Sequence, residues 1–293
     1  MQVALENAQA ERVQKGPATS FTVAPLTPTI GAEIGQIDLA APLDEASLRA
    51  LRATLLTWKV IFFRKQDITT EQHIAFARQF GPLEIHPFSA CKPGYPEVLA
   101  ITHGPKNRGA ENVWNTDVTW RIEPSFGSIL RAIEVPPVGG DTLFADMYAA
   151  YDELPDNVKA ELEGKRARHT MGFYDGVLRK RGTSQAEMDA LYAKYPPTDH
   201  PLVRTHPETG RKALYLHPSF IQEVIGMAPE ESKRLLRFLF RRSTTPEYQC
   251  RFRWQKNSIA FWDNRCSQHY AVSDYWPAVR RMERVTIAGD RPY

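Results

Sequence analysis

Cysteine is scarce: Cys91, Cys250 and Cys266 are the only three in 293 residues, far apart and with no CxxC pair. That excludes a disulfide-stapled fold and a zinc–thiolate centre, and it suits a reducing cytoplasm. Long apolar runs are missing as well. No stretch approaches the roughly 20 residues of a membrane-crossing helix, and residues 1–16 are too polar for a signal peptide. A cytoplasmic protein with no membrane partner is expected. An excess of one charge is also lacking, since 37 Lys and Arg face 34 Asp and Glu. The resulting +3 is too weak to point to nucleic acid. Basic clusters at Arg179-Lys180-Arg181 and Arg241-Arg242 read as solvated surface. No internal repeat and no linker divides the chain. The expected organisation is a flexible tail over 1–19 and one domain over 20–293.

What is present is a strand-rich pattern with helices between. Residues 21–26 and 32–39 read as strands. Asp44 caps a helix with Leu48, Leu51, Leu55 and Trp58 on one face. Val60-Ile61-Phe62-Phe63 reads as a strand buried on both sides, and Thr69 or Thr70 opens the next helix. Further strands are expected at 97–102, 126–133, 141–145, 166–171 and 284–288. Residues 202–206 and 212–216 read as a hairpin, and 248–254 and 258–262 as a pair joined across 255–257. Helical patterns cover 147–154, 156–162 and 229–242. Residues 172–197 form a long excursion with a helix over 184–195, and such insertions often cover active sites. The fold class is mainly β with helices (α+β), a sandwich or barrel under helical cover.

The chemistry gathers in two distant stretches. Read as a strand, 113–120 puts Asn115 and Asp117 on one face with Thr116 turned away. Half a chain later, Trp262-Asp263-Asn264-Arg265 leads to His269, with Arg280 and Arg284 eleven and fifteen residues beyond it. Asp117 and His269 offer a carboxylate and an imidazole to one metal, with the arginines placed for anions beside it. An H-x-D pair plus a remote histidine is the facial triad of non-haem iron(II), which leaves three positions open. Asn115 stands first here, and its amide oxygen is a neutral, weaker donor, so N-x-D alone is a poor metal signal. His73, His86, His200 and His206 read as structural from their settings, and His169 as a candidate to face the pocket. His103 and His217 are uninformative, and Trp114, Trp120, Trp254 and Trp262 read as core.

Trp114-x-Thr116-Asp117-Val118-Thr119, Gly139-Gly140-Asp141-Thr142-Leu143 and the run from His200 to Pro207 occur in that order. Trp262-Asp263-Asn264-Arg265-x-x-Gln268-His269-Tyr270-Ala271 follows, then Arg280, Arg284 and Gly289-Asp290. With these motifs the chain resembles the taurine/2-oxoglutarate dioxygenase family over nearly its whole length. The resemblance implies a double-stranded β-helix (jelly-roll) core with helical cover and an inserted lid. It implies Asp117 and His269 as catalytic iron ligands, with Asn115 at the position of the first histidine. Arg280 and Thr142 would bind the distal carboxylate of 2-oxoglutarate. The cofactors would be iron(II), 2-oxoglutarate and O2, with succinate and CO2 as co-products.

In the sulfonate branch of that family, His86, Arg284 and the backbone N–H of Val118 match the groups that hold the sulfonate. Hydroxylation beside sulfur then releases an aldehyde with sulfite, or with sulfate from a sulfate ester. Two positions depart from the pattern: Ser89 replaces a tyrosine and Glu111 an asparagine, where the amine of taurine is held. A small anionic substrate other than taurine is implied, a sulfonate or sulfate ester first and a phenoxyalkanoate-type carboxylate second. Asn115 leaves three readings: an engineered exchange, a natural variant in which amide or water completes the sphere, or a chain that has lost oxygenase activity. The intact Asp117, His269, Arg280 and Thr142 favour the first two over a silent 2-oxoglutarate-binding homologue. Asp117 also argues against a halogenase, and a homodimer or homotetramer is expected.

Overall fold

The computed structural model describes residues 20–109 and 112–293. The tail expected over 1–19 and Glu111 lie outside the described residues. Strands β1 (Thr22–Pro25) and β2 (Ala32–Gly35) precede helix α1 (Glu45–Trp58), β3 (Val60–Phe63) and helix α2 (Thr70–Arg78). Both helices start where the side chains dictate. Asp44 accepts from Ser47 N–H, and Thr69 and Gln72 form a reciprocal capping box. Next come β4 (Cys91–Lys92), β5 (Tyr95–His103), β6 (Gly127–Glu134) and β7 (Thr142–Asp146), then α3 (Met147–Asp152), α4 (Asp156–Leu162) and β8 (Arg166–His169). The excursion holds a short 3-10 turn (Met171–Tyr174), α5 (Asp175–Lys180) and α6 (Gln185–Lys194). The chain finishes with β9 (Thr198–Pro201), β10 (Val203–Thr205), β11 (Lys212–Leu214), β12 (Ile221–Val224), α7 (Pro229–Phe240), β13 (Gln249–Phe252), β14 (Ile259–Asp263), β15 (Ser267–Ala271) and β16 (Arg280–Ile287).

Eight strands form one sheet in the order β1-β2-β3-β14-β6-β16-β5-β4, antiparallel except for β2 against β3. A second sheet, β13-β7-β15, lies across its inner face. The two-residue period of a strand explains how. On β3, Ile61 and Phe63 pack outward with Leu51, Leu55, Ile74 and Phe76 of the helices. Val60 and Phe62 turn inward to Phe144, Cys250 and Phe252 of the second sheet. Phe62 stacks on Phe252 with centroids 4.0 Å apart and meets the edge of Phe144 at 5.5 Å. A fully buried phenylalanine is worth about 1.5–3 kcal/mol of transfer free energy. The same alternation on β16 sends Val285 and Ile287 outward and Met282 inward. Arg280 and Arg284, in phase with Met282, therefore look toward the space between the sheets.

Two expectations fail. Residues 113–120 are not a strand: apart from one isolated bridge at Asn115 the chain turns, with Val118 at φ 49°. Nor do 248–254 and 258–262 pair with each other, because β13 pairs with β7 while β14 pairs with β3 and β6. The link between them crosses from one sheet to the other, which lets Phe252 and Phe62 meet across the interior. β15 was not expected at all, since Ser-Gln-His-Tyr-Ala carries no β-branched residue; its ladder to β7 makes it a strand. Among the described residues no helix is long and apolar enough to cross a membrane.

Candidate active site

β15 positions the imidazole. His269 lies opposite Phe144 of β7 and exchanges two backbone bonds with Asn115, Asn115 N–H to His269 O at 2.9 Å and the reverse at 2.8 Å. The ring packs 4.8 Å from Trp262 and 6.2 Å from Phe144. Burial lowers its pKa to about 4, so the imidazole is neutral near pH 7. Its Nε2 stands 3.9 Å from Oδ1 of Asp117.

A turn positions the carboxylate. Thr116 Oγ1–H donates to Asn264 O at 2.6 Å, and Asn264 Oδ1 accepts from Asp117 N–H at 3.3 Å. Val118 then takes a left-handed φ that is unfavourable for a β-branched residue, and Arg121 N–H closes back on Val118 O at 3.0 Å. Two histidines grip the same turn. His169 Nδ1 bonds Thr119 Oγ1 at 2.8 Å, and His200 Nε2–H donates to Arg121 O at 2.8 Å. His169 is thus fully buried under the turn, its Nδ1 bonded to Thr119. Asp117 receives Ser128 Oγ–H on Oδ2 and Arg284 Nη1–H on Oδ1, each at 2.7 Å. Burial alone would raise its pKa, but Arg284, His269 and the hydrogen bonds outweigh this and bring it to about 2.

An ionised carboxylate and a neutral imidazole are the forms that bind a divalent cation. One ion about 2.1 Å from each donor spans a 3.9 Å separation. Asp117 and His269 therefore fit a metal. Asn115 starts beside His269, because partners in a hydrogen-bonded antiparallel pair project to the same side. Its amide nitrogen is occupied: Nδ2 donates to Val113 O at 2.9 Å and His269 O at 3.2 Å, which leaves the neutral Oδ1 as the atom it can offer a metal. Asn115 and Asp117 do not aim at one point as strand neighbours, since the turn intervenes.

Farther along the same interior, Trp254 Nε1–H donates to Thr142 Oγ1 at 2.9 Å. The Arg280 guanidinium lies 5.9 Å from the Trp254 ring and 6.0 Å from that of Tyr275. Gly140, at φ +72°, comes so close that a Cβ there would sit 3.3 Å from Arg280 Cδ. Arg280 and Arg284 share a face of β16 about 13 Å apart.

On the other side of Asp117, His86 Nδ1 accepts from Phe88 N–H and Ser89 N–H, both at 3.1 Å. That leaves the proton on Nε2, which faces Tyr174 Oη at 3.5 Å. Burial, and next the Arg284 charge, hold His86 down to about 3, so it is a neutral donor. Phe88, Trp120 and Tyr174 surround it, and Val118 packs into the same apolar cluster. Ser128 and Tyr174 escaped sequence reasoning, His217 read as uninformative, and Asn264 stood in the Trp262-Asp263-Asn264-Arg265 motif without a role of its own. Single residues of common type carry no spacing signal, and only their position beside Asp117 singles them out. Cys266 groups with His206 and Asp263, their ligand-type atoms within 4.8 Å of one another. Yet His206 Nδ1 accepts two backbone N–H groups, and Asp263 is bonded to Arg265 and His206. Those three form a structural network. A surface hollow of about 880 Å³ beside Arg166, Arg168 and Tyr293 shares no residue with the site.

The model of the family described as taurine catabolism dioxygenase TauD, TfdA family matches residues 22–286. An α-ketoglutarate-dependent sulfate ester dioxygenase of Pseudomonas putida is 35% identical, covering 94% of this chain and 92% of its own. An (S)-phenoxypropionate/α-ketoglutarate dioxygenase of Sphingobium herbicidovorans is 36% identical, with coverages of 92% and 96%. A crystal structure of a taurine dioxygenase from Burkholderia xenovorans superposes with a TM-score of 0.81 at 38% identity, over 93% of this chain and 91% of that one. This chain belongs to the TauD/TfdA family, whose enzymes are oxidoreductases that use iron(II), 2-oxoglutarate and dioxygen.

Proposed function

We propose that this protein is an iron(II)/2-oxoglutarate-dependent dioxygenase that hydroxylates a small anionic organic substrate, a sulfate ester or sulfonate first. The observation that carries this is the convergence of Asp117 Oδ1 and His269 Nε2 at 3.9 Å, with Arg284 on the carboxylate and Arg280 on the same strand face. Asp117 and His269 would hold the iron, with Asn115 at the third position. Arg280, as a bidentate donor, and Thr142, through its hydroxyl, would hold the distal carboxylate of 2-oxoglutarate. Bound iron and 2-oxoglutarate supply the oxidising chemistry, with succinate and CO2 as co-products.

His86 Nε2–H, the Arg284 guanidinium and the Val118 N–H would orient the anionic head group, so that the carbon beside it meets the oxidant. Residues 171–195 bring Tyr174 against His86 and would act as a lid that excludes water. The two facing sheets would be a jelly-roll core within one domain over 20–293, assembled as a dimer or tetramer in the cytoplasm. A phenoxyalkanoate-type carboxylate is the second candidate. The aromatic setting of His86 and the likeness to the phenoxypropionate enzyme favour it.

Anaerobic titration with iron(II) and 2-oxoglutarate should develop the weak visible charge-transfer band of the chelate. Air should then yield succinate, faster with alkyl sulfates than with phenoxypropionate. Binding of 2-oxoglutarate with neither band nor succinate would establish a catalytically silent homologue instead.

A further inference from the structure

We propose that Arg284 is a built-in competitor of the metal. It holds the Asp117 oxygen that the cation needs until an anion beside His86 draws it away, so that cation and anion bind with positive cooperativity. This rests on the assignment of His86 and Arg284 to the anion. Arg284 Nη1 is 2.7 Å from Asp117 Oδ1, the same oxygen that faces His269 Nε2 at 3.9 Å. The other carboxylate oxygen accepts from Ser128 at 2.7 Å, and Oδ1 is the one nearest His269 Nε2. Were Oδ1 to keep both partners, the metal and the guanidinium would stand within about 5 Å of each other in a buried site.

Glu84, a further carboxylate that feels the Arg284 charge, is committed to Arg121 at 2.8 Å. A third imidazole donor would help a metal win that contest. Asn115, its amide nitrogen tied to two backbone carbonyls, offers only a neutral amide oxygen, a weaker donor than imidazole. An anion between His86 Nε2–H and Arg284 neutralises the guanidinium and takes over its hydrogen bonds, freeing Oδ1. Linkage then requires the metal to tighten the anion by the same factor.

The test uses the metal-stripped full chain without 2-oxoglutarate. Mn(II) binding is followed by the electron paramagnetic resonance of the free ion, in saturating sodium sulfate and in chloride of equal ionic strength. Calorimetry measures sulfate binding with and without Mn(II). Sulfate should tighten Mn(II) about tenfold, and Mn(II) should tighten sulfate equally. Arg284→Gln should bind Mn(II) more tightly than wild type without sulfate and lose the sulfate effect. Sulfate that binds but leaves Mn(II) affinity unchanged overturns the competition alone. Sulfate that binds in neither state overturns the anion assignment with it. An Arg284→Gln protein that binds Mn(II) no better than wild type also overturns the competition. The wild-type titrations decide the matter should that variant not fold.

Discussion

Asn115 keeps its place through its backbone, and its side chain offers a metal only a neutral amide oxygen. The paired hydrogen bonds to His269 fix where its Cβ points, and the amide then folds back onto two carbonyls. An imidazole at that Cβ cannot donate twice in the same way and would have a ring nitrogen available for a metal. Asn115→His should therefore raise Mn(II) and iron(II) affinity by about a hundredfold and increase succinate formation. Unchanged affinity in a direct titration would mean that this position is no ligand site. The two arginines separate by a second pair of variants. Arg284→Ala should raise the KM for the anionic substrate tenfold or more, roughly the worth of one charge-assisted contact, with little change for 2-oxoglutarate. Arg280→Ala should do the reverse. Equal effects on both ligands, read by calorimetry, would remove the division of labour.

At the scale of elements, the turn after Asn115 needs the most support from elsewhere. A left-handed Val118 costs of the order of 1–3 kcal/mol and persists only where the surroundings over-determine it. Here the surroundings are Asn264 from one end and His169 and His200 beneath. The end of β16 is fixed with comparable closeness. A Cβ on Gly289 would meet Pro124 O at 2.1 Å and Phe126 N at 2.4 Å, both backbone atoms unable to step aside. Gly289→Ala should lower stability by about 2–3 kcal/mol in urea denaturation. Gly176→Ala, in helix α5 with nothing within 4 Å of the new Cβ, should be neutral or stabilising by about 1 kcal/mol. Equal midpoints for the two variants would contradict this account.

Across the whole molecule, buried neutral histidines govern the acid limb of stability. Burial, with Arg131 second, depresses His73 to about 3. Burial likewise brings His200 to about 4 and drives His169 well below its ordinary value. In the unfolded chain each titrates near 6.5. Between those limits the unfolded state binds protons that the folded state refuses, so stability falls as pH falls. The loss is about 1.4 kcal/mol per pH unit for each such histidine. Asp117 is depressed too and acts in the same sense, but its contribution is lost only as pH falls below its ordinary 3.8. Urea midpoints of the metal-free protein should decline steadily from about pH 6.5 to pH 4, and His73→Gln should flatten the slope by one histidine's share. A stability profile level across that range would refute it. The motifs marked Asp117, His269, Arg280 and Arg284 and the strands β3, β6, β7 and β16. They gave no hint of β15, of the crossing from β13 to β14, or of the grip of His169 and His200 on the turn.

By itself the sequence determined what short-range chemistry can determine. Asp44 and the Thr69–Gln72 pair start their helices because the cap bonds span three residues. Val60 to Phe63 is a strand buried on both faces because all four side chains are apolar. The four-residue spacing of Arg280 and Arg284 puts them on one face of any strand. Tertiary structure alone decided that 113–120 turns and that Arg284 closes on Asp117. That ion pair joins residues 167 apart in the chain. No periodicity reaches so far: such a contact exists only once two sheets have packed and water has left the space between them.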